Sequence, residues 1–288
     1  MVFLNGRFLP LEEAKIPVLD RGFIFGDGVY ELVPVYSRVP FRVDEHLGRL
    51  ERSLAEVRIR NPYSRAQWRE IIDTLIVQQP FEDQGVYFQV TRGVAKRDHA
   101  FPAGVEPTVF LMSNPLVNPP RELVENGAAA VTAVDNRWLR CDIKSISLLG
   151  NCLMRQISAD VGAVETIMFR DGRLTEASAS NVFIVSKGTI VAPQKSNLIL
   201  PGITYDVVVE IARLQRMPIE LREVTEAEVR AADEVWVTSS SKEVLAIVTL
   251  DGRQVGSGRP GPVFRRMYQG YQDFKHTVMR QRKQSAPA

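Results

Sequence analysis

The sequence predicts an α+β protein in two domains, and three observations predict it. A chain of 288 residues is long enough for two medium domains. Short strand-like runs closed by tight turns are interspersed with helices whose apolar residues recur at helical spacing. A proline-rich stretch, Asn114-Pro115 and Asn118-Pro119-Pro120, interrupts the pattern and bars both helix and central strand. The expected division is an N-terminal α+β domain over 1–114, a linker over 115–120, a C-terminal domain over 121–282 and a tail over 283–288.

Composition narrows the function classes. Hydrophobic residues make up 45% of the chain and charged residues 24%, as in ordinary globular proteins. A net charge of +2 argues against nucleic acid or a membrane surface as a partner held by a basic field. The two cysteines, Cys141 and Cys152, form neither a disulfide framework nor a metal-ligand pattern. That cysteine usage fits a reducing cytoplasm best, and the start, Met1 to Gly6, lacks the basic leader and long apolar region of a signal peptide.

Taken in order, Val2 to Leu9 reads as a hairpin turning at Asn5-Gly6. The segment Asp20-Arg21-Gly22-Phe23-Ile24-Phe25-Gly26-Asp27-Gly28 reads as a loop where backbone approaches something closely, followed by a strand from Val29 to Tyr36. Asp44 to Ile59 predicts a helix, with Asp44 as its N-cap and Leu47, Leu50, Leu54 and Val57 buried. Arg49 lies beside that stripe and by default snorkels to solvent. Ser64 and Gln67 form a capping box for a helix to about Gln79. Strands follow at Val86 to Thr91 and Val109 to Met112. Between them Arg97 and His99, two apart in an extended segment, point the same way and can grip a carboxylate.

In the second half, Ala128 to Val134 predicts a strand and Leu148 to Val161 a helix ended by Gly162. Hairpin turns are expected at Asp171-Gly172, Lys187-Gly188 and Asp251-Gly252. Thr175 to Asn181, a carboxylate followed by small polar residues, reads either as a site rim or as a solvated turn, and alone the turn is favoured. Leu200 to about Gln215 is a helix with Thr204 at its start, which is either a plain N-cap or a phosphate site. Glu234 to Val237 is a strand that runs into Thr238-Ser239-Ser240-Ser241, hydroxyls suited to an anion. Pro262 to about Arg282 is an amphipathic helix.

The stretch Arg137-Trp138-Leu139-Arg140-Cys141-Asp142-Ile143-Lys144 alternates charged and apolar residues and reads as β-like. A lysine at its end would sit beside a buried sheet, where desolvation frees an amine for nucleophilic work. A lysine, a carboxylate, a helix start, a serine cluster and an arginine are the parts that pyridoxal 5′-phosphate requires of a protein.

These residues also resemble a known family, the fold-type IV pyridoxal-phosphate enzymes or class IV aminotransferases, along nearly the whole chain, and most closely their D-amino acid branch. The resemblance rests on Asp20-Arg21-Gly22, Phe25 to Glu31, Thr91-Arg92-Gly93, Arg97-x-His99, Arg137 to Lys144, Thr175-Glu176 with Ser180 to Phe183, Gly202-Ile203-Thr204 and Val237-Thr238-Ser239, in matching order and spacing. It implies a smaller N-terminal α/β domain, a larger C-terminal pseudo-barrel domain and a cofactor in the cleft between them. It implies that Lys144 carries the cofactor covalently and is the catalytic base. Glu176 would pair with the pyridine nitrogen, and Arg49, Ile203, Thr204, Ser239 and Ser240 would hold the phosphate. Tyr30, Arg97 and His99 would bind the substrate carboxylate, the last two reaching over from the partner of a homodimer. Ala179 departs from the D-specific pattern, which carries serine there. The implied activity is ping-pong transamination between a D-amino acid, D-alanine or D-glutamate, and a 2-oxo acid. An aminodeoxychorismate lyase, a branched-chain or (R)-amine transaminase, and a non-catalytic phosphate-ligand binder remain as alternatives.

Overall fold

The computed structural model describes residues 1–281; Arg282 and the expected tail at 283–288 lie outside the described residues. The chain forms two compact units. Among the described residues, the first comprises Met1–Val117, Ile143–Leu148 and residues 276–281, and the second comprises Asn118–Asp142 and Leu149–Lys275. Beyond the region expected as a linker, the chain therefore passes between units again on either side of Lys144 and after Lys275.

In the first unit, β1 (Val2–Leu4) and β2 (Arg7–Leu9) form the expected hairpin, with Asn5 and Gly6 at φ 47° and 86°. The expected glycine loop instead holds a short helix, α1 (Arg21–Phe25). The Asp20 carboxylate caps it by accepting from the Gly22 N–H, and Gly26 ends it in the left-handed region at φ 65°. The cap at one end and the left-handed glycine at the other leave room for one helical turn, which apolar periodicity is too coarse to reveal.

Strands β3 (Gly28–Tyr36) and β4 (Val39–Pro40) lead into α2 (Val43–Glu56) and α3 (Arg65–Val77). Asp44 is not the N-cap of α2. Arg42 takes that position at φ 52°, and Asp44 lies inside the first turn in an ion pair with Arg69. The capping box of Ser64 and Gln67 is present. Strands β5 (Gln84–Thr91) and β6 (Thr108–Pro115) complete an antiparallel sheet in the order β2-β1-β6-β5-β3-β4. Leu47, Leu50 and Leu54 of α2 join Val33, Phe88, Leu111 and Trp68 in the core, each apolar side chain contributing about 1.5–3 kcal/mol by leaving water. Ile143 belongs to the same core and so pins the segment that carries Lys144.

In the second unit, α4 (Arg121–Asn126) precedes β7 (Ala128–Val134), α5 (Leu149–Asp160), β8 (Glu165–Arg170), β9 (Arg173–Ala177), β10 (Asn181–Ser186) and β11 (Thr189–Ala192). After them come α6 (Ile203–Leu214), β12 (Ile219–Leu221), α7 (Glu226–Arg230), β13 (Glu234–Ser239), β14 (Glu243–Leu250), β15 (Arg253–Gln254) and α8 (Pro262–Phe274). Nine strands form one sheet, ordered β12-β11-β10-β13-β14-β7-β8-β9 with β15 on β14. The pairs β7/β8 and β11/β12 are parallel, and each is joined by a helix, since a parallel pair needs a crossover.

Two expectations are corrected here. The Arg137 to Lys144 run is not a strand; its regular alternation is taken up by ion pairs of Arg137 with Asp135 and Arg140 with Asp142, and Trp138 and Leu139 are exposed. The helix expected to about Arg282 ends at Phe274 and continues as a π turn over Lys275–Met279, where Lys275 is buried against Glu243 at 2.5 Å. Among the described residues, no helix is long and apolar enough to cross a membrane, and both cysteines are free.

Candidate active site

The lysine segment lies along the start of β3 in the first unit. The Tyr30 N–H donates to the Lys144 carbonyl at 2.9 Å, the Ile146 N–H donates to the Gly28 carbonyl at 3.0 Å, and Ser145 bridges Val29. From α2, the Ser53 hydroxyl accepts from the Lys144 N–H at 3.3 Å. This close approach explains the glycines. A Cβ on Gly28 would lie 2.6 Å from the Val90 carbonyl and 3.0 Å from Ile146, and one on Gly26 would lie 2.6 Å from the Ser147 hydroxyl.

Lys144 Nζ stands 4.1 Å from the centroid of the Tyr30 ring, and among the described residues it has no hydrogen-bond or ion-pair partner. Tyr30 in turn packs on Tyr87 with ring centroids 5.6 Å apart. The next residue of β3 faces the other way, as strand alternation requires. There the fully buried Glu31 accepts from Arg49 through Nε at 2.6 Å and Nη2 at 2.9 Å, and contacts His46 Nδ1 at 2.8 Å. Burial pushes the Glu31 carboxyl up, but Arg49 and His46 more than reverse that and hold it far below the ordinary range. Arg49 is thus no snorkelling surface arginine. It is buried, with its guanidinium oriented by Glu31.

Arg97 and His99 are exposed and meet around one ring. The Arg97 guanidinium carbon is 5.4 Å from the centroid of Phe25, and the His99 ring is 5.6 Å from it. The structure therefore brings these two together, as their spacing predicts.

The second unit gathers the other candidates. Glu176, on β9, is buried. Its Oε1 accepts from Arg137 Nη1 at 2.8 Å, and its Oε2 accepts from the Leu200 N–H at 3.0 Å and from Asn181 Nδ2 at 3.3 Å. Burial raises the Glu176 carboxyl to about 7 even against the pull of Arg137. Asn181 also donates to the Leu200 carbonyl at 2.9 Å, and a Cβ on Gly202 would lie 2.1 Å from its Oδ1. Asn181 pairs with Thr238 in the ladder between β10 and β13. One side chain and its backbone therefore tie Glu176 to the start of α6 and to the end of β13.

At the start of α6, Gly202 is the N-cap and no side chain caps the helix. Ile203 and Thr204 are its first residues, so Thr204 is not the N-cap that the alternative reading made it. At the end of β13 stand the half-buried Ser239, its last residue, and Ser240, and the Ser239 hydroxyl accepts from the Lys242 N–H at 3.1 Å. The buried Thr238 hydroxyl has no protein partner among the described residues. The Thr175 to Asn181 stretch is not a solvated turn. Glu165, fully buried, holds Ser178 through its hydroxyl, Ser180 at 2.7 Å and Lys242 Nζ at 3.1 Å.

Comparison with known proteins decides the family. A model of amino-transferase class IV matches residues 28–250. The chain belongs to the class IV aminotransferases. It is 40% identical to a D-alanine aminotransferase of Bacillus licheniformis over 91% of this chain and 92% of that one. It is also 40% identical to a D-alanine aminotransferase of Staphylococcus aureus (strain MW2) over 95% of this chain and 97% of that one. Among solved structures it resembles the T.th. branched-chain amino acid aminotransferase determined with pyridoxamine 5′-phosphate, with a TM-score of 0.89 and 26% identity over 94% and 92% of the two chains. The branched-chain enzyme of Escherichia coli is similar, with a TM-score of 0.87 and 25% identity over 93% and 92% of the two chains.

The partners of several residues of this aminotransferase had no signal in the sequence. Arg137 opens the run read as β-like, yet it reaches Glu176, far along the chain. Glu165 opens β8, and Asn181 closes the stretch read as a site rim or a turn, with nothing local to say which groups they would hold. Each acts through a partner distant in sequence, which neither period nor spacing encodes.

Proposed function

We propose that this aminotransferase transfers amino groups between a D-amino acid, with D-alanine or D-glutamate as the donor, and a 2-oxo acid, using pyridoxal 5′-phosphate. The observation that carries the reading is the amine of Lys144, which stands 4.1 Å from the centroid of the Tyr30 ring and, among the described residues, has no hydrogen-bond or ion-pair partner. Such an amine is available for a covalent bond to an aldehyde. The residues present fit the cofactor. Glu176 offers a buried carboxylate for the pyridine N–H. The uncapped start of α6 at Ile203 and Thr204, and the hydroxyls of Ser239 and Ser240, suit a phosphate, as does Arg49 once Glu31 has set its orientation.

When bound, that cofactor supplies an aldehyde for the amine and a ring that accepts electrons from the substrate carbon. The chain's own residues do the rest. Lys144 Nζ is the base that removes the proton from the substrate Cα. Glu176, as a carboxylate, would accept the pyridine N–H and so keep the ring protonated. Arg97 and His99, with Tyr30, hold the substrate carboxylate and so fix which face of Cα meets the amine. The relatives named D-alanine aminotransferase support the D isomer.

A homodimer is part of the same reading. Leu149, Leu153 and Ile157 form a solvent-facing apolar row along α5, 74%, 58% and 40% exposed, of the kind subunit contact covers. Sedimentation as a monomer would contradict it. A cytoplasmic location also belongs here, supported by the two free cysteines.

The test is a panel of paired D and L amino acids with pyruvate and 2-oxoglutarate as acceptors. D-Alanine and D-glutamate turn over and their L isomers do not. Turnover confined to L-leucine or L-valine overturns the reading in favour of a branched-chain enzyme. Pyruvate release from aminodeoxychorismate without any acceptor overturns it in favour of a lyase.

A further inference from the structure

Arg97 and His99 stand on the long connection between β5 and β6, whose segment from Val94 to Phe101 is exposed apart from a half-buried Ala95. Two exposed side chains on such a connection make a poor trap unless its backbone is held, since an unfixed backbone must be ordered at the moment of binding, at a cost in conformational entropy. A second cluster in the first unit supplies that hold, and no step described above uses it.

Asp27 lies between α1 and β3. Its Oδ2 accepts from Arg21 Nε and from Arg92 Nε, both at 2.7 Å, and its Oδ1 accepts from Arg92 Nη2 at 3.0 Å. All three side chains are nearly buried, exposed by 12%, 4% and 7% for Asp27, Arg21 and Arg92. Each arginine then reaches the connection. Arg21 Nη1 donates at 2.5 Å to the carbonyl of Asp98, the residue between Arg97 and His99, and at 3.5 Å to that of Ala100. The Arg21 guanidinium lies 4.7 Å from the centroid of Phe25, the ring that Arg97 and His99 also meet. Arg92 lies 3.6 Å from the centroid of Phe101 and anchors itself on the carbonyls of Arg58 at 2.9 Å and Val57 at 2.7 Å, beyond the end of α2.

We propose that Asp27, Arg21 and Arg92 are a positioning clamp that sets the posture of Arg97 and His99 for a substrate carboxylate. One carboxylate orients two planar guanidiniums, of which Arg21 donates to the connection at Asp98 and Ala100 and Arg92 packs over the ring of Phe101. Asp27 also sits between Gly26 and Gly28, whose carbonyls accept from the Ser147 hydroxyl at 2.8 Å and the Ile146 N–H at 3.0 Å. The same turn thus holds both the carboxylate residues and the segment that bears Lys144. Burial pushes the Asp27 carboxyl up, and the two arginines reverse this, holding it below its ordinary range and so ionised at working pH.

The proposal rests on the reading of Arg97 and His99 as holders of the substrate carboxylate. It is tested in the cofactor-loaded enzyme with Asp27→Asn and, in case that variant folds poorly, with Arg21→Lys, which keeps the charge and loses the planar fork. Either change raises KM for D-alanine roughly tenfold with kcat little changed. The single-turnover rate with D-alaninol, the same skeleton without a carboxylate, stays within about twofold of wild type. Hydrogen exchange speeds up in the peptide around residues 94–103 and not across the unit. In an Arg97→Ala background the KM effect disappears, because the group being positioned is gone. Equal losses with D-alanine and D-alaninol, exchange that rises throughout the unit, or a KM effect that adds in full to Arg97→Ala would each overturn the clamp. If Arg97→Ala alone leaves KM for D-alanine unchanged, the reading of Arg97 fails. Faster exchange at 94–103 would then show that the three residues hold the connection for another purpose, and the clamp as stated falls with it.

Discussion

Arg137 and Glu176 form a buried ion pair, Nη1 to Oε1 at 2.8 Å, with both side chains less than a tenth exposed. Arg137 does not belong to Glu176 alone. Its Nε and Nη2 donate to the two oxygens of Asp135 at 2.9 and 3.0 Å, and Thr175, the neighbour of Glu176, donates to Asp135 at 2.8 Å. One guanidinium therefore serves two carboxylates. Glu176 has the smaller share, which leaves burial to raise its carboxyl to about 7.

That raised value has a sign in stability. The carboxyl moves from an ordinary 4.5 to about 7, so between those values the folded protein binds a proton that the unfolded chain does not. Its contribution is complete below 4.5 and is lost as pH rises through about 7. Glutamine mimics the protonated form at every pH. In cofactor-free protein, the melting temperature of wild type minus that of Glu176→Gln therefore falls between pH 5 and pH 8. A difference that stays flat, measured by calorimetry across that range, would show that Glu176 is ionised throughout.

Lys144→Ala separates chemistry from folding. The Lys144 side chain is half-buried and, among the described residues, its Nζ makes no hydrogen bond or ion pair, so its removal costs little stability. Turnover falls by at least roughly 10²–10⁴-fold, the range expected when a general acid–base group is lost, because the covalent attachment goes with it. Borohydride-treated wild type carries the cofactor's mass on the peptide containing Lys144, and the variant carries none. An adduct on another lysine, or near-normal turnover, would remove Lys144 from the mechanism.

Glu31→Gln tests the buried pair behind β3. It removes the Glu31 charge from beside the buried Arg49 guanidinium, which is 6% exposed. Breaking one partner of such a pair costs about 3–5 kcal/mol near neutral pH. The Glu31 carboxyl is depressed on folding, so its contribution is present above the ordinary value of 4.5 and is lost as pH falls below it. The stability gap between wild type and variant therefore narrows under acid. Denaturant titrations at pH 7 and pH 3.5 check this, and a gap of equal size at both would mean that charge is not what holds the pair.

The residues of this chain determine its local structure wherever one strong local rule acts. The hairpin at Asn5-Gly6, the capping box of Ser64 and Gln67, the strand Ala128–Val134 and the Leu47-Leu50-Leu54 stripe were legible because positive φ, a capping geometry or a period depends on neighbours a few positions away. Family resemblance likewise named the lysine, the glutamate and the Arg-x-His pair. Only the tertiary structure decided that the Arg137 to Lys144 run is irregular, with Arg137 and Arg140 paired to Asp135 and Asp142. Only it decided that Arg49 faces Glu31, that Asn181 ties Glu176 to the start of α6, and that Asp27 joins two arginines under the Arg97 connection. The last three share a physical reason. A buried polar or charged group takes whichever partner the fold brings within reach, and that partner's distance along the chain leaves no trace in local pattern.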